Sequence, residues 1–405
     1  MTAFATLHRN PFKITEISAR SALLVGILDT SVALSYLLGI PVNLWYAGTL
    51  ALKIIILLAS RFCGRDNLKA NLGFFVSMVV LLSISAISGE YTSEAIPKAA
   101  GFILHLAITI SIINHRNLIN YASGISSTGL IISFLYIPYA LSGMAEDNFG
   151  RYLFFGGSHP NLGSEILAMC VVVGAMHLGI RKFLLLAILA IASITLMQGR
   201  AALIASTLVA LIKISPHIKA ILKNRRTRAT AGVLLITALG VTILNLESII
   251  DFIRRILLLD DSYRGVGSGF VGRSDRWESA WLLFLESPTL GVGYGYYDGA
   301  KVDTPHNAYL YAIAEFGLTS IALFYLLCVA AYRAAKKNPD LAKPLLPILV
   351  LTIFNDRFLN INPYPFLAIT ILLTLGSKRA EPTNQPKIKT PSTRHQLKTN
   401  HSAQR

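Results

Sequence analysis

Twelve apolar stretches dominate this chain, at about residues 21–38, 42–60, 72–89, 96–113, 118–142, 161–179, 183–197, 200–215, 230–246, 306–330, 343–358 and 362–376. A helix needs roughly 20 mostly apolar residues to cross the hydrocarbon core of a bilayer. The seventh and eighth stretches are short and separated by a single turn at Gln198-Gly199-Arg200. The last two are broken by Asn355-Asp356-Arg357 and by Pro363. Charged residues make up only 14% of the chain, about half the share of a soluble domain. The pattern predicts an all-α polytopic integral membrane protein with about 12 transmembrane helices. Cys63, Cys170 and Cys328 lie far apart, which excludes a disulfide framework or a cysteine-based zinc site.

A net charge of +16 raises the question of nucleic acid. The distribution of that charge points to membrane topology and lipid instead, with no nucleic-acid partner. Alternate segments hold Arg9, Lys13 and Arg20; Arg61, Arg65 and Lys69; Arg116; Arg181 and Lys182; the run from Lys213 to Arg228; Arg333 to Lys343; and the basic tail. Together these hold most of the basic residues and only Glu16, Asp66, Asp340 and Glu381 among the acids. Positive residues stay on the cytoplasmic side, so both termini are expected inside. The chain then divides into a cytoplasmic N-terminus at 1–20, spans one to nine within 21–246, an outer loop at 247–305, spans ten to twelve within 306–376, and a basic tail at 377–405 that reads as disordered. Residues 1–20 are polar and basic, without the pattern of a cleavable signal peptide.

Two outer segments have substance, 143–160 and 247–305. Residues 247–259 form an amphipathic piece suited to the membrane interface. Trp277, Trp281, Leu282, Phe284 and Leu285 repeat at helical spacing over 275–286. Ser274 reads as the N-cap of that helix and Ser287-Pro288 as its stop.

Basic side chains are scarce on the outer face of such a protein, so those that remain need a reason. They are Arg151, Arg200, Arg254, Arg255, Arg264, Arg273, Arg276, Lys301 and Arg357, with Lys98 at a border. Arginine is the residue for bidentate phosphate recognition, although any one of these also has loop acids to pair with. Arg200, Arg273 and Arg276 lie at helix starts, where backbone N–H groups also point at anions. At Arg273 and Arg276 a cation opposes the helix dipole, a local cost that points to another use, whereas for Arg200 snorkelling to lipid headgroups is the plainer alternative.

Thr304-Pro305-His306 reads as N-cap, N1 and N2 of the tenth span. A helix start and nearby arginines both disfavour imidazolium, and the neutral ring is the form a general base needs. A histidine simply hydrogen-bonded at a helix start is the plainer alternative. His159 is next in line, and the other histidines receive no role. Glu315 is nine residues past His306 and falls on the opposite helix face.

Asp29 and Lys53 sit at similar depth in the first two spans, where pairing is the usual way to keep such groups. Gly291-Val-Gly-Tyr-Gly-Tyr-Tyr-Asp-Gly299 suits either a sugar-binding loop presenting Tyr294, Tyr296 and Tyr297 or a flexible aromatic turn. Asp260-Asp261 is the one acidic pair in an outer loop long enough to fold, and no metal or other cofactor is expected.

The order of these features resembles the bacterial O-antigen ligases, whose superfamily also contains O-antigen polymerases. The resemblance rests on twelve spans, a late outer loop, Gln198-Gly199-Arg200 opening a helix, Gly272-Arg273-Ser-Asp-Arg276-Trp277, Pro288…Gly291-Val-Gly293 and Pro305-His306-Asn307. It covers roughly residues 20–376 and is strongest from 198 to 311. It implies a Gram-negative inner-membrane glycosyltransferase with a periplasmic active site. The donor would be a glycan on undecaprenyl pyrophosphate and the acceptor a sugar hydroxyl of lipid A–core, with no metal involved. The family's essential residues match Arg200, Arg273 and His306, and Arg276 less closely. Ligases and polymerases share these motifs. A transporter or flippase would gather its charges at mid-membrane and show paired repeats, whereas here charge gathers at one face.

Overall fold

The computed structural model describes residues 11–60, 65–143, 152–223, 229, 237, 244–257, 273–353 and 363–377. Among these the regular elements are helices. In chain order they are α1 (Pro11–Thr30), α2 (Val32–Leu37), α3 (Val42–Ala59), α4 (Arg65–Ala70), α5 (Leu72–Ser88), α6 (Thr92–Ile112), α7 (Leu118–Leu141), α8 (Pro160–His177) and α9 (Ile180–Leu196). There follow α10 (Arg200–Lys223), α11 (Leu246–Leu257), α12 (Arg273–Glu286), α13 (Tyr296–Gly299), α14 (Ala308–Phe316), α15 (Thr319–Lys337), α16 (Pro339–Ala342), α17 (Ile348–Ile353) and α18 (Pro363–Gly376).

Five helices among the described residues are long and apolar enough to cross a bilayer: α3, α6, α7, Arg200–Ala220 of α10, and α15. Leu72–Ser88 and Pro365–Gly376 are shorter apolar helices. Burial along α3 is inverted relative to a soluble helix. It turns Leu44, Ile55 and Leu58 outward, at 62–64% exposure, and buries Thr49, Lys53 and Leu57. Apolar side chains outside and a lysine inside is the arrangement of a helix solvated by lipid. The protein is a membrane protein.

The centre of the bundle is α8, in which every residue from Leu162 to Met176 is buried. α7, α9, α10 and α18 pack around it. α1 crosses α7 with the two backbones in direct contact. A Cβ on Gly26 would lie 2.2 Å from the Tyr121 carbonyl oxygen, and one on Gly124 would lie 2.2 Å from that of Leu23. Small residues at such a crossing let dispersion hold helices together where lipid removes the hydrophobic drive.

Asp29 and Lys53 form a buried ion pair, as their depth predicts. Around it, the Tyr121 hydroxyl donates to Asp29 Oδ2 at 2.8 Å, Lys53 Nζ lies 3.2 Å from His105 Nδ1, and Lys53 stands over the Phe366 ring. This cluster ties together α1, α3, α6, α7 and α18. His105, which receives no role from the sequence, is part of it.

Several boundaries differ from the hydropathy reading, and the eighth stretch, short at 200–215, runs on as α10 to Lys223. The first stretch, 21–38, is two helices, because α1 ends at Thr30 and Ser31 starts a new one. The helix at 275–286 begins at Arg273, so Ser274 lies inside its first turn, where its hydroxyl donates to Asp275. The tenth stretch, 306–330, is broken into α14 and α15 at Gly317, whose φ of 56° and ψ of −143° suit glycine almost alone. Of 230–246 only Thr237 and residues 244–246 are described. Asp260-Asp261, Arg151, Arg264, Arg357, Asn355-Asp356 and the tail from 378 lie outside the described residues.

Candidate functional site

Arg273 and Arg276 stand three residues apart in the first turn of α12, a spacing that places both on one face. Partial burial, and then the neighbouring Arg276 charge, push Arg273 below the usual arginine range. Two guanidinium groups on one helix face suit the recognition of an anion. Arg276 also reaches across the loop, where its Nη2 donates to Asp303 Oδ2 at 2.8 Å. One residue on, Trp277 Nε1 donates to the Pro305 carbonyl at 2.9 Å. Two consecutive side chains of α12 thus hold the strap 303–305 immediately before His306.

His306 itself is half-buried, with φ at +49°. It is not the second residue of a helix. Asn307 is the N-cap of α14, with φ −150° and ψ 115°, and its Oδ1 accepts from Tyr309 N at 2.9 Å and Leu310 N at 3.1 Å. Asparagine is among the strongest N-caps. Asn307 therefore overrides the Thr304-Pro305 signal, and Thr304, Pro305 and His306 remain in the loop. His306 stands just before the first turn of α14, at the end of the strap that Arg276 and Trp277 of α12 hold.

The glycine-tyrosine segment that follows α12 is pinned on several sides. Val292 N donates to Ala314 O at 2.9 Å and Gly293 N to Glu315 O at 3.1 Å. Tyr294 N donates to Ser85 Oγ, and that hydroxyl donates to Glu315 O, both at 2.9 Å. Gly295 N donates to Glu315 Oε1 at 3.1 Å. Tyr297 stacks on Tyr311 with ring centroids 5.1 Å apart, and Tyr296 packs edge-on to Tyr91. Tyr294 and Tyr297 are buried, so this pair forms a packed turn and offers no face to a sugar. Tyr296 alone of the three stays partly open. The sequence assigned Glu315 no role beyond facing away from His306. It is in fact the fully buried anchor of the segment that joins α12 to α14.

Arg200 is the first residue of α10, directly after the turn at Gln198, whose φ is +53°. Its helix packs against α17, and α14 packs against α17 as well, with Tyr309 Oη 3.2 Å from Thr352 Oγ1. The contacts above tie the start of α12, which bears Arg273 and Arg276, to the strap before His306, and the helix that Arg200 opens shares α17 as a packing partner with α14. His159 caps α8, its Nδ1 accepting from Asn161 N at 3.2 Å. Lys98 binds Asp298 at 2.7 Å, the loop-acid pairing that competes with phosphate recognition.

A family model described as O-antigen ligase matches residues 166–325 of this chain. That interval contains Arg200, Arg273, Arg276 and His306. No curated protein matches the chain.

Proposed function

Membership of the O-antigen ligase family, which that match supports, is the premise from which we propose that the chain is a glycosyltransferase acting on a lipid-linked glycan. In this reading the donor is a glycan on undecaprenyl pyrophosphate and the acceptor is a sugar hydroxyl of lipid A–core. The site opens to the periplasmic face of the inner membrane, with about 12 spans and both termini inside. The observation that carries it is Arg273 and Arg276 on one face of α12, the helix that also holds the strap ending in His306.

Arg200 and Arg273 would hold the pyrophosphate, with Arg276 adding charge beside them while Asp303 engages it. Neutralising that anion makes the lipid pyrophosphate a good leaving group. His306 would take the proton of the acceptor hydroxyl as the new bond from its oxygen to the anomeric carbon forms. The bond from that carbon to the pyrophosphate oxygen breaks, and the electron pair leaves on the polyprenyl pyrophosphate. Direct attack inverts the anomeric carbon. Positioning of two substrates accounts for much of the rate in such a transfer.

Deleting the gene and profiling the glycolipids tests the acceptor. Loss of a ligase leaves bare core lipopolysaccharide while lipid-linked polymer accumulates. Core capped by a single repeat unit would instead assign the protein as a polymerase with the same donor.

A further inference from the structure

We propose that Trp277 and Asp303 are positioning residues for His306: α12 grips the strap before the histidine at two points and thereby aims its ring at the acceptor. The inference rests on His306 serving as the base. Its own support is geometric. The indole N–H of Trp277 meets the Pro305 carbonyl at 2.9 Å, and Asp303 meets Arg276 at 2.8 Å. His306 follows directly with φ at +49°, a backbone conformation uncommon for any residue but glycine and retained only where its surroundings over-determine it. From the other side Asn307 is fixed as the N-cap of α14. The four residues 303–306 are therefore held at both ends, and Pro305 stiffens the middle. Asp303 also takes up one edge of the Arg276 guanidinium, so Arg276 serves as a strut while Arg273 faces the donor.

The roles separate in the full-length enzyme, reconstituted in lipid with a lipid-linked glycan donor. Trp277→Phe keeps an aromatic ring while removing the N–H and part of the indole's bulk. It should lower kcat about 10- to 100-fold, the cost of a misaimed reacting group, with donor KM within about two-fold and an unchanged melting temperature. Asp303→Asn keeps an acceptor for Arg276 and should retain most of the rate, whereas Asp303→Ala should lose it in kcat. In a His306→Ala background, Trp277→Phe should cost nothing further, since its effect passes through that ring. Trp281→Phe, one turn along α12 and 48% exposed, is the control and should behave as wild type.

A Trp277→Phe enzyme with wild-type kcat, or one whose loss is fully additive with His306→Ala, would overturn the positioning role. A His306→Ala enzyme at wild-type rate would instead remove the base on which the inference rests. The two failures are therefore told apart.

Discussion

Lys53 and Arg273 are both cations in a chain that keeps most of its positive charge in alternate segments, and their surroundings differ in kind. Lys53 is 2% exposed and enclosed by Asp29, His105 and the Phe366 ring, with Tyr121 completing the coordination of the aspartate. Arg273 is partly exposed at the start of α12 and shares a helix face with a second arginine, Arg276. A closed cluster has nothing left to bind and serves to hold helices together. Two arginines on one partly open helix face suit an anionic ligand.

The largest effect that would sharpen this contrast is at His306. His306→Ala should reduce transfer by on the order of 10²–10⁴-fold, the usual cost of a general base, while protein level and melting temperature stay at wild type. His306→Gln should fail to restore the rate, because glutamine accepts a hydrogen bond without taking a proton. A fully active Gln variant would reduce His306 to a group that merely orients the acceptor.

Lys53 should behave in the opposite way. Lys53→Ala leaves a buried carboxylate without its counter-ion, which costs about 3–5 kcal/mol. Thermal unfolding in detergent should show that loss directly, with activity falling only as folded protein falls. The double variant Asp29→Leu/Lys53→Met should recover most of the stability, since an apolar replacement of a whole buried pair is often tolerated. If Lys53→Ala were stable yet inactive, the buried cluster would belong to the mechanism and the contrast between the two regions would collapse.

Arg273→Ala should cost on the order of 10²–10³ in rate, the range for one preorganised donor at a developing charge. Arg273→Lys should rescue poorly because the planar fork is lost. Neither should destabilise the fold. A lower melting temperature in step with lost activity would make Arg273 a structural residue like Lys53.

The sequence disclosed these two regions unequally, for physical reasons. Hydropathy located α3, α5, α6, α7, α8 and α9 to within a few residues, because a lipid-solvated helix must be apolar over its length. It missed the break at Gly317, since Phe316-Gly317-Leu318 is as apolar as its flanks and only the backbone angle marks it. The Asp29–Lys53 pair was legible because charges in a span must find partners at equal depth. His105 was not, since its placement depends on how α6 turns in the bundle. At the site, residue type pointed to Arg273 and His306. The strap contacts from Arg276 and Trp277 join residues 27 and 28 positions apart, and no periodicity encodes them.

The smallest expected effect separates stability from electrostatics within the site. Asn307 caps α14 through its Oδ1, so Asn307→Ala should cost about 1 kcal/mol of stability. Asn307→Asp keeps the capping oxygen and adds an anion at a helix N-terminus, where it gains a few tenths of a kcal/mol from the dipole. The Asp variant should therefore melt at or slightly above the wild-type temperature. That anion also stands one residue from His306, in the region where Arg273 is proposed to hold pyrophosphate, so it should raise donor KM several-fold. Stability and donor affinity would then move in opposite directions in a single variant, an outcome not open to a residue of the closed Lys53 cluster. An Asp variant with unchanged donor KM would mean that the pyrophosphate sits away from the mouth of α14, and would shift the donor site toward Arg200.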